Sequence, residues 1–228
     1  MDKIFSPDAG FPSPEFSRKM EILEQASVLI GRVRVRKPEK SILVVGPSGS
    51  GKTALLNEIE QIARREGYKT IFVSLREEKP LAELLVPGLK KTLCELGGLA
   101  GAGDGSRGLR VLKSFIESQA LKVEDINASL SIEREVGSAD AGDLEIDLAI
   151  LFEAVTQTAL ERQVQIALLI DDIHYLSCVE LSALIMAMHK LQQRRLPLVL
   201  FGTGLSTLPK LMGNSQAYAE RLFSFPSI

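Results

Sequence analysis

Apolar residues follow two different spacings along this chain. Ile42-Leu43-Val44-Val45, Lys69–Leu75, Ile166–Ile170 and Leu198–Phe201 are short runs rich in aliphatic residues, the signature of buried strands. Between them the period changes to that of a helix. Ile22, Ala26, Leu29 and Ile30 share one face over Arg18–Ile30, with Ser17 as the expected cap after an extended lead-in at 1–17. Leu55, Ile59 and Ile62 predict a helix starting near Lys52, and Gly67 its stop. Leu148, Leu151, Phe152, Val155 and Ala159 predict another from Leu144 to about Arg162, capped by Asp143. A fourth carries Leu181, Leu184, Ile185, Met188 and Leu191 behind Ser177 and Glu180, which form an S-x-x-E capping box. Pro80–Leu96 reads as helical but interrupted near Pro87-Gly88, and Leu109–Ala120 as a further helix. The glycine-rich stretch 97–108 predicts a flexible loop, and the alternation over Ile126–Ile132 a strand in a hairpin or at a sheet edge.

The first strand runs directly into Gly46-Pro47-Ser48-Gly49-Ser50-Gly51-Lys52-Thr53, which reads G-x-x-x-x-G-K-T and is followed by the helix that begins there. Strand, glycine loop and helix are the context this phosphate-binding pattern requires. Its glycines let successive backbone N–H groups turn inward toward phosphate oxygens, and the helix N-terminus adds partial positive charge on the same side. Residues Gly46 to Ala54 are therefore the candidate nucleotide cradle. Lys52 is the point charge for the β- and γ-phosphates, and the Thr53 hydroxyl is a candidate Mg²⁺ ligand.

A second motif follows from the first. The strand Ile166–Ile170 ends in Asp171-Asp172, and a triphosphate's Mg²⁺ calls for a carboxylate at the tip of a neighbouring parallel strand. Asp171 is the candidate metal residue, and Asp172 is placed to orient or deprotonate the attacking water, with a cap for the following turn as its alternative. Thr203 stands where the next strand gives out, with a hydroxyl available to the γ-phosphate or to that water; a plain turn threonine is the alternative. His174 reads as structural, although it is close enough in sequence to approach the γ-phosphate. Asp140 and Asp143 fit turn and cap better than metal ligation.

Composition narrows the class. The chain has 228 residues, 45% of them hydrophobic, enough for one large α/β domain with a sizeable core. Lysine and arginine number 27 against 29 acidic residues, a net charge of −2, so nothing global argues for nucleic acid or an acidic membrane. The basic run Arg32-Val33-Arg34-Val35-Arg36-Lys37 reads as a solvated connector, with contact to nucleic acid or to a neighbouring subunit's phosphate as the functional alternative. Cys94 and Cys178 suggest neither a metal site nor a disulfide framework. No signal peptide or long apolar run is evident, so a cytoplasmic protein without membrane contact is the expectation.

With these motifs in order, the chain resembles a nucleotide-binding domain of the AAA+ P-loop ATPase superfamily, similar to bacterial and archaeal initiator-related and STAND-like ATPases. The resemblance implies an α/β three-layer fold with a central parallel five-stranded sheet in the order 5-1-4-3-2 and helices on both faces. It implies a lead-in and helix over 1–40, the nucleotide-binding domain over 41–228, and an insertion at about 97–142 between strands 2 and 3. Phe16-Ser17-Arg18-Lys19-Met20-Glu21-Ile22-Leu23 resembles the family's h-x-G-R-x-x-E-L segment without its glycine. The sensor 1 position falls on Thr203, and the arginine finger on Arg221, which would act in trans in a homo-oligomer on ATP held by a neighbour. Asp-Asp stands where the family usually has Asp-Glu, and a shorter carboxylate implies slow turnover. The chain closes at Phe225–Ile228 where the fifth strand forms, so the helical lid is expected to lie outside it, as in a fragment of a longer protein.

The expected cofactors are ATP or ADP and Mg²⁺, and the expected activity is ATP hydrolysis. A nucleotide-gated interaction switch with little turnover is the alternative, and a small-molecule kinase fits less well. No protein or DNA client is identifiable.

Overall fold

The computed structural model describes residues 14–37, 39–76, 79–98, 107–122 and 132–228. Five parallel strands form its centre: β1 (Ser41–Val45), β2 (Lys69–Ser74), β3 (Ile166–Asp171), β4 (Leu198–Gly204) and the short β5 (Phe223–Ser224). Their order is β2-β3-β4-β1-β5, the expected 5-1-4-3-2 read from the other edge. β1 pairs with β4 from Ile42 opposite Phe201 to Val45 opposite Gly204, and β5 joins through Phe223 opposite Ser41. Beyond β5 the edge continues, since Val45 donates to the Pro226 carbonyl and Ile228 donates to the Val45 carbonyl.

Strand periodicity divides the core cleanly, because successive side chains point to opposite faces. Ile42, Val44, Ala167, Leu169, Val199 and Phe201 face α1 (Pro14–Arg34) and α2 (Lys52–Arg65). Leu43, Val45, Ile71, Val73, Leu168, Ile170 and Leu200 face the other layer. That layer holds α3 (Leu81–Gly98), α4 (Arg107–Ser118), α5 (Leu144–Glu161), α6 (Cys178–Gln193), α7 (Leu208–Ser215) and α8 (Ala219–Leu222). Both faces are covered, which is why the strands are nearly continuous in apolar residues.

Several local expectations need correction. The first helix begins at Pro14, not after Ser17, and proline at a first helical position costs nothing because that N–H has no intrahelical acceptor. It also runs on through Arg32 and Arg34, so half of the basic run is a helix's last turn, where cations complement the macrodipole. Arg32 pairs with Glu39, and the Tyr68 hydroxyl ties the helix down by donating to the Ile30 carbonyl at 2.6 Å. Burial pushes the Tyr68 phenol well above the ordinary tyrosine range.

α3 is not interrupted at Pro87. Pro87 lies on the exposed side while Leu85, Val86, Leu89 and Leu93 are buried, and Gly88 presses on Ile71, where a Cβ would come within 2.6 Å of Cγ2. Packing holds the helix through the lost bond. Arg107 and Gly108, read as loop, open α4, and Gly97 and Gly98, read with them, are the last two residues of α3. The strand expected over Ile126–Ile132 falls outside the described residues apart from Ile132, as does the glycine-rich segment at 99–106.

Asp143 caps α5 as expected, accepting from Glu145 N at 2.9 Å and Ile146 N at 3.1 Å. Asp140 closes a turn by accepting from Gly137 N at 2.8 Å. Ser177 and Glu180 form the full capping box. Among the described residues no helix is long and apolar enough to cross a membrane.

Candidate nucleotide site

The loop between β1 and α2 takes the shape its glycines allow. Gly49 and Gly51 have φ of +80° and +85°, the left-handed region that side chains disfavour. Gly51 is the cap of α2, so the helix N-terminus opens directly onto the loop. Ser50 braces it from within, its hydroxyl donating to the Pro47 carbonyl at 3.0 Å. Gly46 is pinned to β4 by donating to the Gly204 carbonyl at 3.2 Å. Ile228 covers Gly46 from the edge: a Cβ there would lie 2.8 Å from the Ile228 carbonyl oxygen.

Lys52 is only 6% exposed. Its ammonium lies under the loop and donates to the carbonyls of Gly46 at 3.1 Å and Pro47 at 2.7 Å. Pro47, Ser48 and Gly49 themselves are exposed, as are Thr53 and Ala54 at the start of α2. Backbone N–H groups, a helix terminus and one lysine thus share one side of the sheet's carboxyl edge, where open α/β sheets hold their ligands.

The acidic strand delivers its carboxylate to the same edge. Asp171 is 3% exposed and takes a hydroxyl on each oxygen. Thr53 donates to Oδ2 at 2.8 Å, and Thr203 donates to Oδ1. Thr203 is fully buried at the end of β4, beside Val44 of β1, and it accepts the backbone N–H of Asp172 at 2.9 Å. Residues from three separate segments, at 53, 171 and 203, are therefore joined in one chain of hydrogen bonds. The hydroxyl of Thr203 is spent on the two acids rather than directed into the loop.

Asp172 leaves the strand in a left-handed conformation, φ 60° and ψ 46°. Ile173 holds it there by inserting into the room at Gly202, where a Cβ would lie 2.3 Å from Ile173 Cδ1. Burial, and then the charge of Asp171, push the Asp172 carboxyl above the ordinary aspartate range, with His174 and Lys52 opposing. His174 Nδ1 lies 3.8 Å from Asp172 Oδ1 and is buried without a hydrogen-bond partner among the described residues.

Replacing Thr203 by valine keeps the shape and removes the link, leaving the Asp172 N–H and one Asp171 oxygen unpaired. We expect a stability loss of about 1–3 kcal/mol by urea unfolding, with Thr203→Ser recovering most of it. An unchanged midpoint in the valine variant would mean that the network carries no strain-free preference for this geometry.

The pattern of the AAA ATPase domain matches residues 19–201, most of the chain. The chain belongs to the AAA ATPase domain family. It is a nucleotide-binding α/β domain of the AAA+ P-loop superfamily, as its sequence motifs imply. The crystal structure of Cdc6p from Pyrobaculum aerophilum is similar in fold, with a TM-score of 0.53 at 16% identity, covering 97% of this chain and 48% of that one. PCH-2 of C. elegans aligns at a TM-score of 0.43 and 14% identity over 91% of this chain and 42% of that one. A chain of the Drosophila ORC structure bound to poly(dA/dT) DNA and Cdc6 aligns at 0.43 and 11% identity, covering 100% and 34%. The chain spans about half or less of the length of these proteins. No curated protein sequence matches it.

Arg221 is not part of this cluster. It is exposed on α8, two residues before β5 pairs with Ser41 at the start of β1, so it stands at the opposite end of the sheet from Gly46. Lys19, which stands at the arginine position of the segment Phe16–Leu23 that resembles the family's, reaches from α1 to Gly51, a contact across 32 positions that spacing does not encode.

Proposed function

We propose that the site binds Mg·ATP and hydrolyses it by attack of water on the γ-phosphate. The observation that carries this reading is the shared carboxylate of Asp171, which gathers the hydroxyls of Thr53 and Thr203 beside the phosphate loop. An oxygen donor set of one hydroxyl and one carboxylate suits Mg²⁺, a hard cation, so Thr53 and Asp171 fit that ion. When bound there, Mg²⁺ would neutralise charge gathering on the β- and γ-phosphate oxygens.

The remaining roles fall to the chain itself. Backbone groups from Gly46 to Ala54 cradle the phosphates, and Lys52 exchanges its two loop carbonyls for phosphate oxygens. Asp172 accepts a proton from the attacking water as its oxygen bonds to phosphorus and the bond to the β–γ bridging oxygen breaks, giving ADP and phosphate. Thr203 positions both acids. Arg221, exposed on α8 and remote from its own loop, is assigned to a neighbour's ATP in a homo-oligomer, with a plain surface arginine as the alternative.

A nucleotide-gated switch with little turnover remains the second reading, favoured by the contact of the Asp172 carboxylate with His174 at 3.8 Å.

Phosphate release per subunit, measured with ATP binding over a wide range of protein concentration, tests both. We expect specific turnover to rise with concentration and to fall at least tenfold, about 1.4 kcal/mol of barrier, in Arg221→Ala while ATP affinity holds. Tight binding without turnover at any concentration favours the switch. Absence of ATP binding would overturn the proposal.

A further inference from the structure

The amino ends of the strands, opposite the phosphate loop, carry charge that the chain does not neutralise. Where α1 hands over to β1 and α6 to β4, a cavity of about 480 Å³ is lined by Arg36, Lys37 and Arg195 together with Gln192 and Leu222. The three cations are exposed, and none stands in an ion pair among the described residues. Basic residues beside them do pair: Arg32 with Glu39, Arg34 with Glu66, and both Lys190 and Arg194 with Glu153. Glu39 is the one carboxylate among the cavity's described lining residues, and Arg32 already holds it. The whole chain has a net charge of −2, so this rim is a product of the fold and not of composition.

Helix dipoles do not account for it. Arg32, Arg34 and Lys190 sit in last turns, where a cation complements the macrodipole, whereas Arg36, Lys37 and Arg195 lie beyond the helix ends. Arg36 and Arg195 also hold φ of 55° and 52°, the left-handed region in which glycine is easier. Both turns are fixed by the backbone, Arg36 N donating to the Val33 carbonyl at 2.9 Å and Arg195 N to the Gln192 carbonyl at 3.1 Å.

β4, β1 and β5 are neighbours in the sheet, so Arg195, the pair Arg36 and Lys37, and then Lys40 follow one another along its edge. Lys40 reaches toward β5 by donating to the Glu220 carbonyl at 2.8 Å. Three adjacent strands span about 10 Å, the length taken by about three phosphates of one nucleic-acid strand. Gln192 and Leu222 also line a second cavity, which has His189 and Tyr218 in its wall. Those two rings pack with centroids 4.7 Å apart, and the Tyr218 hydroxyl donates to the Met186 sulfur at 2.6 Å. Cations along a groove beside fixed aromatic rings suit a single strand, whose phosphates meet charge while its bases stack. Arg221 lines the second cavity as well and keeps the role given above.

We propose that this rim binds the backbone of a single-stranded nucleic acid, with Arg36, Lys37 and Arg195 as the phosphate contacts. The site is separate from the nucleotide loop and does not depend on it.

Fluorescence anisotropy of labelled oligo-dT over a series of salt concentrations, without nucleotide, tests it. The logarithm of affinity should fall against the logarithm of salt with a slope of about −2, three contacts at about 0.7 each. Arg36→Gln, Lys37→Gln and Arg195→Gln should each flatten that slope by about 0.7, and the triple variant should lose about tenfold or more in affinity at low salt. Because none of the three is ion-paired, the variants should melt with the unsubstituted chain. Lys52→Ala should bind the oligonucleotide unchanged. No binding at low salt, or binding whose slope ignores the three substitutions, overturns the inference. Loss in Lys52→Ala alone would put the strand in the phosphate loop, sinking this inference while sparing the nucleotide site. A duplex of the same length bound as tightly would count against the single strand. Displacement of the oligonucleotide by pyrophosphate at equal phosphate concentration would reduce the rim to an isolated anion site, and the proposal would fail.

Discussion

Lys52→Ala is expected to weaken ATP binding by about 100-fold or more while leaving the fold in place. The ammonium is buried but rests on two carbonyls, Gly46 and Pro47, rather than on a carboxylate. Neutral carbonyls satisfy its hydrogen bonds without neutralising its charge, so a phosphate oxygen is the better partner. Moving two ammonium hydrogen bonds from neutral carbonyls to anionic phosphate oxygens is worth about 3 kcal/mol net, which is about two decades in affinity. The stability cost is small by comparison. The exposed side of the loop lets water reach the Pro47 carbonyl, and Ser50 continues to donate to it at 3.0 Å. Lys52→Met, which keeps the apolar stem, separates packing from charge: it should lose as much affinity as the alanine variant while melting with the unsubstituted chain. Affinity retained within threefold in both variants would place the phosphates elsewhere.

What could be read in the sequence was what is encoded locally. The glycine loop, the acidic strand tip and the capping box each lie within a few residues, and each has a geometric reason for its spacing. Sheet order came with the family resemblance, not from any run of aliphatics, since strands covered on both faces look alike in sequence. The helix boundaries that missed did so where tertiary packing outweighs a local breaker. Pro87 survives in α3 because Leu85 and Leu89 are buried beside it, and Val33 extends α1 by packing on the face that also buries Ile30.

The acids show a sharper limit. Asp171 and Asp172 are adjacent in sequence, yet one is buried with both oxygens bonded and the other has a left-handed backbone and a half-exposed carboxylate. That division depends on Thr203 and Gly202, some thirty residues further on. Lys19 over Gly51 is of the same kind. Contacts between distant segments set the site's fine geometry, and they leave no periodicity to read.

Asp172→Asn should reduce ATP turnover by about 10²–10⁴-fold, the range for removal of a positioned general base, with ATP affinity nearly unchanged. The substitution isolates chemistry unusually well at this position. Asparagine is among the few residues that adopt the left-handed region readily, so φ of 60° carries no new strain. The backbone N–H keeps its bond to Thr203, and Ile173 keeps its seat at Gly202, because neither involves the carboxylate. What is lost is the capacity to take a proton, together with the negative charge that faces Asp171 and lies 3.8 Å from His174. Asp172→Ala would add backbone strain and blur the comparison, whereas Asp171→Asn would disturb the hydroxyls of Thr53 and Thr203 and with them the metal position. Phosphate release, ATP affinity and melting temperature should therefore separate in Asp172→Asn: the first falls steeply and the other two hold. If turnover held as well, Asp172 would not be the base, and its raised carboxyl would answer only to burial and to Asp171.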